Sequence, residues 1–197
     1  MNYLKIFSVV LILGLFIGCG EKKETTQTKT ETKQTETKPT VKQYFTVSSV
    51  EKPSGKGVVP NFTWDENGKK MSMSDLKGKT VLINLWATWC GPCKKEIPDL
   101  IAISNELKDK NFAMIGIQVF QKSGQQSLDD FLKTTPIPYT ILDGNQELIE
   151  AFNIALGSEI NGIPTTIIVD SEGKVAESFV GSRDKAGFLA IINKHLK

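Results

Sequence analysis

Residues 81–98, VLINLWATWCGPCKKEIP, decide the fold. The first six form an apolar run of strand length interrupted by one asparagine, which is typical of a strand buried on both faces of a sheet. Over residues 91–108 apolar side chains recur near helical spacing, and this spacing predicts a helix. Cys90 and Cys93 therefore lie where a buried strand gives way to a helix.

This placement predicts a redox-active cysteine pair. A thiol at a helix N-terminus faces unpaired N–H groups and the positive end of the helix dipole, which favour the reactive thiolate. Cys93 follows Cys90 by nearly one helical turn, so the two sulfurs can close and open a disulfide by thiol exchange. We expect Cys90 to be the more exposed, attacking cysteine and Cys93 to face inward and resolve the mixed disulfide. Pro92 fixes φ in the first turn, where its missing N–H costs little.

The cysteine pair has two other interpretations. Cysteines at this spacing are typical of half a zinc site, but the sequence has no second pair and no nearby histidine, so we predict no metal. A purely structural disulfide is disfavoured because so short a loop removes little entropy from the unfolded chain.

The rest of the chain alternates strand and helix patterns, which predicts an α/β domain with helices on both faces of a sheet. An Asn-Gly pair at residues 67–68 between short alternating runs indicates a hairpin. Trp64 and His195 carry no functional signal and are assigned to packing and helix surface. The remaining predicted strands are 112–119, 139–142, 165–169 and 175–180, and the remaining helices are 127–133, 146–152 and 183–196.

The first 57 residues predict export and tethering. Residues 1–18 resemble a signal peptide, because a positive start precedes an apolar run of about twelve residues, too short to span a bilayer. The run ends in LFIGC, which resembles a bacterial lipoprotein cleavage box except for Phe16 in place of leucine, so we expect lipidation of Cys19. An uncleaved anchor and ordinary cleavage near Cys19 are the alternatives, and all three export the protein.

The domain boundary is predicted at Val58. Residues 19–57 comprise the lipidated cysteine and a polar Thr/Lys/Glu-rich segment, which we interpret as a flexible tether. Residues 44–47 have the composition of an edge strand, but Pro53 and the following glycines favour a loop. The folded domain is assigned to residues 58–197.

Composition excludes several classes of protein. Of the 197 residues 40% are hydrophobic and 23% charged, which excludes wholesale disorder, and a net charge of +2 gives no reason to expect nucleic acid. One histidine excludes a His-rich metal site, and three cysteines cannot build a disulfide framework. The cysteine pair is not a c-type haem attachment motif, because Lys94 follows it.

The WCGPC string at residues 89–93, within LWATWCGPCKKEIP at 85–98, resembles thioredoxin and the exported, membrane-tethered thioredoxin-like proteins of the TlpA/ResA type. PNFT at 60–63 and DLKGK at 75–79 extend the resemblance, which covers about residues 58–197. It implies a thioredoxin fold: a central mixed sheet, an N-terminal β-hairpin and a helix-containing central insert. It also implies a monomer without a cofactor, with Gly91 and Pro92 tuning the redox potential.

The resemblance also implies roles for residues outside the cysteine pair. The string GIPTT at 162–166 matches the family's cis-proline loop, so Pro164 is expected to be cis and the Ile163 backbone to pair with a client chain. Glu96 matches a glutamate that lies near the thiols in the family, the alternative being a solvated helix carboxylate. Asn84 occupies the place of thioredoxin's buried acid. Trp89 is assigned either to the client surface or to packing.

The function implied is that of an exported thiol–disulfide oxidoreductase that reduces rather than oxidises. A membrane thiol carrier is the implied electron donor, and the CxxCH disulfide of unfolded cytochrome c is an implied client. A thiol peroxidase is disfavoured because Ala87 breaks the Pro-x-x-x-Thr-x-x-Cys pattern, and a non-catalytic binding lipoprotein is the other alternative. Residues 155–161 are an extension relative to the family and are expected beside the cis-proline, where they affect the client groove or merely lengthen a loop.

Overall fold

The computed structural model describes residues 43–196. Within them the chain forms eight β-strands, four α-helices and a short 3-10 helix, Met73–Leu76. The strands are β1 (Phe45–Glu51), β2 (Asn61–Glu66), β3 (Lys69–Ser72), β4 (Thr80–Trp86), β5 (Phe112–Gln118), β6 (Thr140–Asp143), β7 (Thr165–Val169) and β8 (Val175–Val180). The helices are α1 (Gly91–Glu106), α2 (Leu128–Thr134), α3 (Gln146–Leu156) and α4 (Lys185–His195). The predicted signal peptide, Cys19 and the tether up to residue 42 lie outside the described residues.

All eight strands lie in one mixed sheet with the order β3-β2-β1-β6-β5-β4-β7-β8. Strands β1, β6, β5 and β4 are parallel, whereas the outer pairs run antiparallel to their neighbours. Parallel neighbours need crossover connections, which α1 supplies between β4 and β5 and α2 between β5 and β6. The thioredoxin-like fold is thus confirmed, with α2 and β6 as its helix-containing insert.

Strand β4 separates two hydrophobic cores. Every residue of β4 is buried, and its side chains alternate between the two faces of the sheet. Leu82 and Trp86 pack with side chains from α1, α2 and α4 on one face. Ile83 and Leu85 pack with α3 and with the hairpin residue Trp64 on the other. Helices therefore cover both faces, as predicted.

The N-terminal hairpin is also confirmed. Strands β2 and β3 are joined by Asn67 and Gly68, whose φ angles of 56° and 85° are those of a two-residue turn that matches the twist of the strands. Trp64 is 2% exposed, which confirms its assignment to packing.

The predicted domain boundary at Val58 is wrong. Strand β1 begins at Phe45 and lies inside the sheet, antiparallel to β2 and parallel to β6. It is neither a loop nor an edge strand, because the hairpin continues the sheet beyond it. Phe45 and Val47 are buried in the core that contains α3, so the folded domain starts before residue 58.

Helix α3 is longer than predicted. It continues through Ala155 and ends at Leu156, with Gly157 in the left-handed conformation (φ 68°) that closes many helices. Beyond it, the Ile160 N–H donates to Asn153 Oδ1, and the Ile160 side chain is buried. Part of the extension at residues 155–161 is therefore helix and core rather than free loop. No helix within residues 43–196 is both long and apolar enough to cross a membrane.

Candidate active site

Cys90 is the residue that begins helix α1. Its backbone is extended (φ −82°, ψ 106°), and its Sγ accepts a hydrogen bond from the Cys93 N–H at 3.2 Å. The first N–H groups of a helix have no partner within the helix, so the sulfur occupies the place where a negative charge is stabilised. Gly91 and Pro92 are exposed at the first two helical positions. The predicted strand–cysteine–helix arrangement is present.

The two cysteines form a disulfide in this structure. Their Cα atoms are 5.3 Å apart and their sulfurs are bonded at 2.01 Å. Cys90 is 3% exposed and Cys93 is 0% exposed. The predicted order of exposure therefore holds, although the difference is small in the oxidised form. Of the two cysteines, only Cys90 has any exposed surface.

The Ile163–Pro164 loop lies against the disulfide. Its peptide bond is cis, as predicted, and the Ile163 carbonyl oxygen is 3.8 Å from Cys90 Sγ. Two hydrogen bonds position the loop: Gly181 N–H donates to the Pro164 carbonyl at 2.8 Å, and Thr165 Oγ1 donates to the Gly162 carbonyl at 2.7 Å. The loop thus brings backbone polar groups to the sulfur that would meet a client.

Glu96 is buried on the inner face of α1. It is 2% exposed, and its Oε1 accepts a hydrogen bond from Asn84 Nδ2 at 2.8 Å. Asn84 Nδ2 is also 3.4 Å from Thr166 Oγ1, so β4, β7 and α1 meet at this point. The alternative of a solvated carboxylate is wrong. Asn84, which sequence reasoning treated only as a missing acid, is the partner of the acid that α1 supplies.

Burial raises the pKa of Glu96 from its usual 4.5 to about 7. The Asn84 hydrogen bond and the backbone of Arg183 oppose this shift but do not cancel it. Glu96 Oε2 has no hydrogen-bond partner among the described residues, which is consistent with a carboxyl that is costly to ionise. Because its pKa lies near neutrality, Glu96 can accept or release a proton at the pH of thiol exchange.

The residues that surround the Asn84–Glu96 pair are also buried. Asn84 pairs in register with Gly116, and a Cβ at Gly116 would lie 3.3 Å from Trp86 Nε1 and 3.2 Å from Tyr139 Cε2. The pKa of Tyr139 is raised, first by burial and second by the charge of Glu96. The glycine therefore makes room for two aromatic rings beside the Asn84–Glu96 pair. No sequence motif identified Tyr139 or Gly116, because Gly116 reaches Asn84 through the pairing of β4 with β5 and Tyr139 reaches Gly116 through the pairing of β5 with β6.

Trp89 is half-exposed immediately before Cys90. Its indole N–H donates to the Phe120 carbonyl at 2.9 Å, and Lys122 Nζ lies 3.4 Å from its ring centroid. Trp89 is 36% exposed, so one part of the ring packs and another part faces solvent. The structure thus brings together Cys90, Cys93, Ile163, Pro164, Glu96 and Trp89, whereas Cys19 lies outside the described residues.

Comparison with known proteins adds to this geometry. The Redoxin family model matches residues 53–192. Thiol-disulfide oxidoreductase ResA of Bacillus subtilis (strain 168) is 32% identical over 125 residues, which are 62% of this chain and 65% of ResA.

Two solved structures share the fold. A thiol:disulfide interchange protein of the thioredoxin family from Chlorobium tepidum TLS superposes with a TM-score of 0.60 at 34% identity, covering 75% of this chain and 99% of that one. The exposed lipoprotein thioredoxin Etrx1 of Streptococcus pneumoniae strain TIGR4 superposes with a TM-score of 0.54 at 25% identity, covering 74% and 99%. With its disulfide at the start of α1 and its cis-proline loop, the chain belongs to the Redoxin family and groups with the thiol–disulfide oxidoreductases.

Proposed function

We propose that the protein is an exported, membrane-anchored thiol–disulfide oxidoreductase that reduces protein disulfides. One observation carries this proposal: Cys90 caps helix α1 and is bonded to Cys93, with the carbonyl oxygen of Ile163, the residue before the cis-proline, 3.8 Å from its sulfur. A sulfur in this position is stabilised as a thiolate and can be attacked by its neighbour.

The reaction runs in two exchanges. In the reduced protein the Cys90 thiolate attacks one sulfur of a client disulfide, and the other client sulfur leaves as a thiolate that takes a proton. Cys93 then loses its proton and attacks Cys90 Sγ, which releases the second client sulfur. The client gains two electrons and two protons, and the protein ends in the disulfide form described here.

We assign Glu96 as the base that accepts the proton of the Cys93 thiol. It lies one helical turn after Cys93 on α1, both side chains are buried, and its pKa of about 7 matches a proton that must leave and return. A solvent-exposed carboxylate with an ordinary pKa would be a far weaker base.

We assign the protein to the reduction of client disulfides rather than to their formation. The Gly91–Pro92 dipeptide is the one found in reducing thioredoxin, whose potential is about −270 mV against about −120 mV for the oxidant DsbA. Regeneration then needs a thiol donor at the membrane, and we propose a membrane thiol carrier. Disulfide-bonded proteins are the clients, and the CxxCH disulfide of unfolded cytochrome c is a specific candidate. The chain acts as a monomer without a cofactor.

The location follows from the N-terminal segment. The apolar run ending in LFIGC and the polar residues after it support export and lipidation at Cys19. Similarity to a pneumococcal exposed lipoprotein is consistent with this assignment. Incorporation of a tagged fatty acid during growth tests lipidation, because the wild-type protein is expected to carry the label and Cys19→Ala to carry none; an unlabelled wild-type protein contradicts lipidation.

Client trapping tests the activity. Cys93→Ser leaves the attacking sulfur intact but cannot resolve the mixed disulfide, so it is expected to accumulate dithiothreitol-sensitive complexes in cells. Cys90→Ser is the matched control and is expected to trap far less. Equal trapping by both variants, or none by either, contradicts the assigned roles. A measured midpoint potential near that of DsbA contradicts the direction.

A further inference from the structure

Lys122 lies against the residue that precedes the attacking cysteine. Its ammonium group lies 3.4 Å from the ring centroid of Trp89, the residue that precedes Cys90. The indole N–H of Trp89 is occupied by the Phe120 carbonyl, which is two residues from Lys122. Because both groups are exposed at the surface, a client that approaches Cys90 past Trp89 meets a positive charge.

The segment that carries Lys122 is held in place. Thr88 Oγ1 donates to the Gln126 carbonyl at 2.7 Å, and the Lys122 N–H donates to Gln125 Oε1 at 2.8 Å. Gln121 also hydrogen-bonds to Asp143, at the end of β6. Residues 119–127, which connect β5 to α2, are therefore fastened to the residues just before the active cysteine rather than projecting freely.

Exposed lysines follow the disulfide in the chain and lie against Trp89. Lys94 and Lys95 are exposed directly after Cys93, and the first turn of α1 contains no acidic residue. Residues 119–127 contain no acidic residue either. Glu96 follows Lys95 directly but is buried. Asp129 and Asp130 follow residues 119–127 at the start of α2, where Asp129 accepts a hydrogen bond from the Tyr44 hydroxyl and Asp130 pairs with Lys133. Asp143 is half-buried and bonded to Gln121, and Glu159 is exposed before the cis-proline loop.

From this arrangement we infer that Lys122 is a specificity-determining residue that favours clients with Asp or Glu beside the reacting cysteine. The inference rests on the proposed disulfide exchange at Cys90. A lysine stacked on an exposed indole and a lysine in a surface ion pair are stabilised to a similar extent, so Lys122 can pass from Trp89 to a client carboxylate at little cost.

Single-turnover reduction of three synthetic peptides tests the inference. Each peptide carries the same internal disulfide, flanked by Asp, by Asn or by Lys, and the prereduced protein supplies both electrons. Exchange is followed by rapid mixing at low salt and again in about 0.5 M NaCl, where the Debye length falls below about 5 Å. One pair of surface charges about 7 Å apart changes the rate of productive encounter between protein and peptide by about twofold at low salt.

The wild-type protein is therefore expected to reduce the Asp peptide about fourfold faster than the Lys peptide, and high salt should remove the difference. Lys122→Glu is expected to invert this preference, a shift of about sixteenfold toward the Lys peptide, whereas Lys122→Arg should preserve the wild-type ratio. Lys108→Glu makes the same charge change about 25 Å away, beyond the other end of α1, and should leave the ratio nearly unchanged.

The Asn peptide, which has no charge beside the disulfide, distinguishes a failure of the specificity role of Lys122 from a failure of the oxidoreductase assignment. If all variants reduce it at one rate and Lys122→Glu leaves the Asp-to-Lys ratio at its wild-type value, the specificity role of Lys122 is refuted while the oxidoreductase assignment stands. If the wild-type protein reduces none of the peptides, the assignment fails and the inference fails with it. Lys122→Met removes the positive charge without adding a negative one. It should therefore bring the Asp-to-Lys ratio toward one even if Lys122→Glu fails to fold.

Discussion

Replacing Glu96 by Gln should change how the stability of the oxidised protein depends on pH. In the folded protein the pKa of Glu96 is about 7, against 4.5 when the side chain is free in solvent. Between these values the folded state binds a proton that the unfolded state has lost. The contribution of Glu96 to stability is therefore greatest below about pH 4.5, and it is lost as the pH rises through about 7.

The magnitude follows from the shift. Each pKa unit corresponds to about 1.4 kcal/mol, so a rise from 4.5 to about 7 makes this group cost about 3 kcal/mol of unfolding free energy above neutrality. Nothing offsets this cost fully, because Oε2 lacks a partner among the described residues and Asn84 satisfies only Oε1. A glutamine keeps the acceptor for Asn84 but does not titrate.

Urea denaturation of the oxidised protein at four pH values between 4.5 and 8 measures the effect, since the disulfide keeps both cysteines from titrating. The wild-type protein should lose up to about 3 kcal/mol across this range relative to Glu96→Gln, whose profile should be flatter. Glu150→Gln, an exposed change on α3, is the control and should follow the wild type. Parallel profiles for wild type and Glu96→Gln would show that the Glu96 carboxyl is not perturbed by burial.

Three further substitutions test the surroundings of the site and the extent of the domain. Gly116→Ala should destabilise the protein by about 1–3 kcal/mol, because its Cβ would lie 2.8 Å from the nearest buried side chain, whereas Gly55→Ala, which meets nothing within 4 Å, should change thermal stability little. Asn84→Ala should cost about 2 kcal/mol and raise the pKa of Glu96 further, so that its pH profile falls at a higher pH than the wild type's; an unmoved profile would argue against the Asn84–Glu96 bond. Val47→Ala should lower the free energy of unfolding by about 1–3 kcal/mol, because Val47 is buried in β1. If the variant instead unfolds at the same temperature as the wild type, residues 45–51 belong to the tether rather than to the core.

Local sequence signals were sufficient wherever one short segment decides its own structure. Asn67 and Gly68 predict a turn because both residue types readily adopt a positive φ. The apolar run of β4 predicts a strand that is buried on both faces. The position of Cys90 before Gly91–Pro92 was likewise enough to predict a sulfur at a helix N-terminus. These features depend on contacts within a few residues.

The features that sequence reasoning missed depend on distant partners. Strand β1 alternates only weakly, and its place is determined by pairing with both β2 and β6. The Asn84–Glu96 bond joins residues from a strand and a helix, and the contact of Lys122 with Trp89 depends on how the β5–α2 connection folds back. One missed feature had a local signal: Gly157 after an apolar helical run indicates the end of α3 at Leu156.

The function proposed for this protein requires the start of helix α1 to stabilise a thiolate at Cys90, and the rate of alkylation of the reduced protein as a function of pH measures that stabilisation. Cys93→Ser isolates the single reactive sulfur in the described domain, and Cys19→Ala in the same chain removes the remaining thiol. We expect the apparent pKa of the Cys90 thiol to lie below that of a free cysteine, because the N-terminus of α1 favours the thiolate. A titration indistinguishable from that of free cysteine would contradict stabilisation of the thiolate by the helix.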